Sequence, residues 1–165
     1  MPQSPAGTRG SLAVHWGKGE TMFEKILFPT DFSDEAMTAI DFIKQLKGAG
    51  AEEVIVLHVI DRRGLGDLAR FAKKDFANIL EEMERKARVE IDPIEEELKE
   101  SGMRVKVRVE KGGPCDEILR VADEENASVI VAGSHGKSNI DSMLLGSVSY
   151  RLVKRINKPI LVVKK

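Results

Sequence analysis

The chain has only one cysteine, Cys115, in 165 residues, so no disulfide can form within it and a reducing compartment, the cytoplasm, is the expected setting. An excess of one charge is also missing: 26 basic residues stand against 27 acidic ones, leaving a net charge of −1. That balance offers no electrostatic footprint for duplex nucleic acid or for a membrane, and neither is expected as a partner. The basic cluster of Arg151, Lys154, Arg155 and Lys158 reads as a solvated face near a helix C-terminus. No apolar run approaches the ~18 residues of a membrane-spanning helix, and nothing reads as a secretory leader. The three histidines, His15, His58 and His135, are scattered without metal-ligand spacing, so no protein-built metal site is expected.

What is present is the composition of an ordinary globular domain, 42% hydrophobic and 32% charged. Residues 1–21 differ from the rest. They are rich in Gly, Ser, Pro and Thr, and their one apolar cluster, Leu12 to Trp16, is short. They are expected to be a flexible N-terminal extension, with Met22 as an alternative start and residues 22–165 as the folded domain.

From Met22 onward, strand and helix patterns alternate. Apolar runs at 25–30, 53–60, 127–132 and 159–163 predict strands, and the second is nearly continuous, as in a strand covered on both faces. Residues 103–110 alternate strictly, apolar at odd positions, which predicts a half-buried edge strand. Ser33 is a suitable N-cap for a helix carrying Ala36, Ile40, Ile43 and Leu46, which Gly48 and Gly50 end. A second helix is predicted from Leu68 to Ser101, kinked or interrupted at Pro93. A third begins at Pro114, and a fourth covers about 146–156. Strands separated by helices imply right-handed crossovers and a doubly wound three-layer α/β domain with a parallel sheet. Such sheets bind ligands beyond the carboxyl ends of their strands.

Three strand ends would meet there: Pro29-Thr30-Asp31, Val59-Ile60-Asp61, and the segment from Gly133. The last carries Gly133-Ser-His-Gly136 and, nine residues later, Gly146-Ser147 at the mouth of a helix. Glycines let a backbone approach an anion without Cβ obstruction, and a helix N-terminus supplies free N–H groups and the positive end of a dipole. Local chemistry alone leaves two readings open, a phosphate cradle and a plain strand-to-helix turn. Known alternatives fail on spacing. Gly136-Lys137-Ser138 would need a glycine where Val131 stands to be a P-loop, and Asp31-Phe-Ser-Asp34 replaces a dinucleotide fingerprint. Ser134, His135 and Asp141 are too close in sequence to present a triad to one another.

Gly133-x2-Gly136-x9-Gly146-Ser147 resembles the G-x2-G-x9-G-[ST] signature of the universal stress protein family. Ile26-Leu-Phe-Pro-Thr-Asp-Phe-Ser33, Val56-Leu-His-Val-Ile-Asp61 and Lys158-Pro-Ile-Leu-Val-Val163 are similar to that family as well. The resemblance covers Met22 to Lys165. It implies a five-stranded parallel sheet in the order 3-2-1-4-5, in the branch of the family that binds ATP. Carried over by position, Asp31 and the backbone of Val59 would meet adenine, and Ala132 and Gly133 would lie by the ribose. Gly136, Gly146, Ser147, Val148 and Ser149 would hold the phosphates, with Pro29 and Thr30 close by. Mg or Mn would be bound through the phosphates rather than by the protein. Family members commonly carry a larger residue where Ala132 stands, and commonly form a homodimer through the last strand, here 160–163. The function implied is a nucleotide-dependent stress-response switch. The alternatives are a slow ATPase, for which only Asp31, Asp61, His135 and Asp141 could serve, and a structural dimer without nucleotide.

Overall fold

A computed structural model describes residues 21–63, 65–72, 75–134 and 145–164. The apolar runs become β1 (Lys25–Pro29), β2 (Glu53–Asp61), β4 (Val129–Gly133) and β5 (Ile160–Val163), and the alternating run becomes β3 (Arg104–Gly112). All neighbouring pairs are parallel, in the order β3-β2-β1-β4-β5.

The helices are α1 (Asp34–Leu46), α2 (Leu65–Ala72), α3 (Phe76–Glu100), α4 (Pro114–Glu124) and α5 (Ser147–Arg155). Side-chain alternation along the strands divides the core in two. Ile26, Phe28, Val54, Val56, Val129 and Val131 pack with α1 and α3 on one face. Leu27, Ile55, Leu57, Ile130 and Ala132 pack with α4 and α5 on the other. Parallel strands buried on both faces need such apolar runs, because neither side meets water. Gly50 ends the turn after α1 in the left-handed region (φ 100°), where a side chain would also strike Thr21.

The predicted helix from Leu68 to Ser101 is two helices. Asp75 has extended backbone (φ −66°, ψ 138°) and separates α2 from α3. Packing accounts for the break: Leu65 and Ile79 share one cluster over Ile60. In a straight helix, 14 residues at about 1.5 Å each would hold them ~21 Å apart. Pro93, predicted to interrupt the helix, lies inside an unbroken α3. It is exposed, as is Val89, whose carbonyl loses its N–H partner, so water can take the vacant bond.

β3 is an edge strand, as its alternation predicts. Val105, Val107 and Val109 pack inward. On the opposite face Arg108 meets Glu110 at 2.6 Å, Glu124 at 3.1 Å and Glu125 at 2.7 Å, while Lys106 meets Glu125 at 2.8 Å. Arg120 from α4 closes the lattice on Glu110 at 2.7 Å. The other edge, β5, has four residues and leaves Leu161 39% exposed.

Candidate functional site

A cavity of about 450 Å³ opens at the carboxyl ends of β1, β2 and β4, between α4 and α5. Pro29, Thr30 and Asp31 line it from the end of β1, and Val59 from β2. Ala132 and Gly133 reach it from β4, and Gly146, Ser147, Val148 and Ser149 from the start of α5. Gly136, His135 and Asp141 lie outside the described residues. The structure thus gathers around one space residues that are more than a hundred positions apart in sequence.

The β1–α1 connection is fixed by its own side chains. Phe32 N–H donates to Thr30 Oγ1 (3.0 Å), Ser33 N–H to Asp31 Oδ1 (3.0 Å), and Ala36 N–H to Ser33 Oγ (3.3 Å). Short polar side chains at 30, 31 and 33 can do this because each reaches a backbone N–H two or three residues on. The turn forces Phe32 into the left-handed region (φ 63°), a conformation costing an L-residue about 1 kcal/mol or more. Its ring stacks on His58, centroids 4.6 Å apart and planes 26° from parallel.

The wall formed by α5 is different. Its N-cap is Gly146, which has no side chain to give, and the first intrahelical bond runs from Tyr150 N–H to the Gly146 carbonyl (2.9 Å). The amides of Ser147, Val148 and Ser149 therefore have no intrahelical acceptor, and all three residues line the cavity. Ser149 Oγ donates to the Gly133 carbonyl (2.8 Å), so its hydroxyl proton ties α5 to β4. Gly146 N–H donates to the Ser134 carbonyl at 2.7 Å, and Ser134 N–H to the Val163 carbonyl at 2.8 Å, so both ends of the glycine-rich segment are anchored.

Gly133 is needed for a reason other than the one its sequence context suggests. A Cβ there would sit 3.0 Å from Ala36 N and from the Glu35 carbonyl carbon. The glycine admits the N-terminus of α1 against β4, and the space it saves is backbone against backbone.

Sequence reasoning missed the apolar floor. Leu57, Ile118 and Leu152 line the cavity, with Pro114 and Ala36 at its sides. The period-2 pattern of β2 could have indicated Leu57 together with Val59, whereas Ile118 and Leu152 look like any core-facing helical residue. Asp61 also lines the cavity. Arg63 grips its carboxylate through Nε (2.9 Å) and Nη2 (2.5 Å), and that hydrogen bonding holds the Asp61 carboxyl below the usual carboxylate range. Cys115 is buried in the α4 cluster, with Arg155 Nη1 3.8 Å from its sulfur.

Among the described residues no set of His, Cys, Asp and Glu is gathered as metal ligands, and no helix is long and apolar enough to cross a membrane. The arrangement offers a largely apolar cavity with the first-turn amides of α5 in its wall.

Comparison with known proteins gives this geometry a context. The universal stress protein family model matches residues 22–164. Universal stress protein MJ0577 of Methanocaldococcus jannaschii is 38% identical over 156 residues, covering 87% of this chain and 96% of that protein. The solved structure of MJ0577 superposes with a TM-score of 0.79 at 40% identity, over 87% of this chain and 97% of that one. A universal stress protein from Archaeoglobus fulgidus, solved in complex with dAMP, shares the fold with a TM-score of 0.59 at 22% identity, over 87% of this chain and 99% of that one.

Proposed function

This chain belongs to the universal stress protein family, and we propose that it is an ATP-binding, nucleotide-dependent switch of the stress response that works in the cytoplasm. The observation that carries the reading is the meeting of one apolar cavity with the three amides of the first turn of α5. An apolar slot accepts a purine, and a helix N-terminus with free N–H groups accepts phosphate.

In this reading Asp31 and the Val59 backbone face the adenine, and Ala132 and Gly133 flank the ribose. Gly136, Gly146, Ser147, Val148 and Ser149 hold the phosphates, with Pro29 and Thr30 at the wall. Ser149 contributes through its amide, since its hydroxyl already donates to Gly133. Mg or Mn would be held through the phosphate oxygens, whose charge it would offset. A fold relative held with dAMP accords with a nucleotide occupant.

At Asp61 the geometry favours binding over turnover. Asp61, one candidate base, is engaged by Arg63 and held ionised, which lowers its basicity. The test is to denature purified protein and identify any released nucleotide, then to titrate ATP into the emptied protein. Gly136→Val is expected to abolish ATP affinity while leaving the fold intact, and equal affinity in that variant would sink the assignment. Labelled ATP should remain unhydrolysed over many binding lifetimes.

The partner in this proposal is a second copy of the chain, joined through β5. Its support is a short apolar edge, Ile160 to Val163, with Leu161 exposed on the outermost strand. Sedimentation should show a dimer that Leu161→Lys converts to monomer. A monomeric wild-type chain would refute it.

A further inference from the structure

The β1–β2 ladder stops one rung early. Thr30 N–H donates to the Leu57 carbonyl at 2.8 Å, as a continuing parallel pair requires. The next rung would run from Val59 N–H to the Thr30 carbonyl. It is not formed: the paired register ends at Pro29 opposite Leu57, and no backbone bond from Val59 reaches Thr30 among the described residues. The Thr30 oxygen is instead 2.9 Å from His58 Nδ1. A carbonyl only accepts, so Nδ1 carries the proton and donates. His58 points to the α1 side of the sheet, where its ring also stacks on Phe32, while Val59 lines the cavity on the α4 side.

We propose that His58 is a positioning residue that ends the ladder by taking the Thr30 carbonyl, and so leaves the Val59 main-chain N–H for the base of the bound nucleotide. The inference rests on the nucleotide reading above. Its chemical consequence is selectivity. An amide N–H held in an apolar slot wants a ring nitrogen with a lone pair, which adenine offers at N1. Hypoxanthine and guanine carry N1–H instead, and would set donor against donor. His58 would thus favour adenine from the far side of the sheet without touching it. It also holds the Thr30–Phe32 turn, because the stack and the Nδ1 bond act on the same three residues.

Amide hydrogen exchange tests the ladder in the ligand-free wild-type protein. The Val59 amide should exchange about a hundredfold faster than that of Thr30 and should slow when ATP is added. Equal protection of the two amides without ligand would overturn the proposal. His58→Leu keeps an apolar ring neighbour but donates nothing. In that variant Val59 N–H should close on the Thr30 carbonyl and become protected without ligand. ATP affinity should fall about tenfold and the preference for ATP over inosine triphosphate should shrink. His58→Asn, which places a donor near the Nδ1 position, should restore both. A His58→Leu protein that keeps affinity, preference and fast Val59 exchange overturns the proposal. If His58→Leu does not fold, the wild-type exchange still decides. A wild-type protein that binds no nucleotide overturns the nucleotide reading, and Val59 exchange then judges the ladder separately.

Discussion

The connection from β1 to α1 ties three of its own amides with its own side chains, whereas the connection from β4 into α5 reaches the cavity with three first-turn amides that have no acceptor in the helix. Thr30, Asp31 and Ser33 each satisfy a nearby amide, so that wall has its shape before any ligand arrives. Gly146 has no side chain with which to do the same for Ser147, Val148 and Ser149. Backbone tied by its own side chains gives form, and a helix N-terminus whose first amides have no acceptor in the helix gives affinity for an anion. One site needs both, since recognition requires a rigid wall as well as groups left unspent.

The contrast can be broken most sharply at Gly133, where the two connections touch. Gly133→Val drives a side chain into the α1 backbone and should cost about 3 kcal/mol by urea unfolding, the upper end for overpacking. A loss below ~0.5 kcal/mol would mean that α1 can move away, and that the closed wall is less rigid than its bonds suggest. Ser33→Ala removes the N-cap of α1 and should cost about 1 kcal/mol while changing ATP affinity less than about threefold. A larger affinity change would show that the closed wall also binds. The smallest effect is at Asp61, at the end of β2, which lines the same cavity from the far side of β1. Its folded pKa is depressed by Arg63, so its contribution is present above the unfolded value near ~4 and is lost as pH falls through the lower folded value. Arg63→Ala should raise the Asp61 pKa toward ~4 in an NMR titration, with a stability change below ~0.5 kcal/mol because the pair is exposed. An unmoved pKa would assign the depression to another neighbour.

Sheet and strand ends were legible because their signals are local. Continuous apolar runs mark strands covered on both sides, and the strict alternation at 103–110 identified the edge strand β3. The strand order came from resemblance rather than from pattern. The break between α2 and α3 was hidden, because Leu65, Ala69, Phe76 and Leu80 keep a helical spacing and no glycine or proline stands at 73–75. The shared contact over Ile60 and the extended backbone at Asp75 reveal the break. At the site, the residues expected from the motif do line one cavity, apart from Gly136, which is outside the described residues. What they bind is a matter for the experiments above. The cause of Gly133 was illegible, since its neighbour Ala36 lies 97 positions earlier. His58 was illegible too, because a histidine in a strand looks the same whether it ends a ladder or fills a gap.

The ion-pair lattice over β3 sets a limit on assembly. A strand edge is a template for further strands unless something blunts it, and Lys106, Arg108 and Glu110 are committed to Arg120, Glu124 and Glu125. If two copies join through β5, the ten-stranded sheet they form ends in β3 on both sides. Neither end invites another strand. The proposed association would then stop at two by construction, with no open edge left to extend it into a fibre.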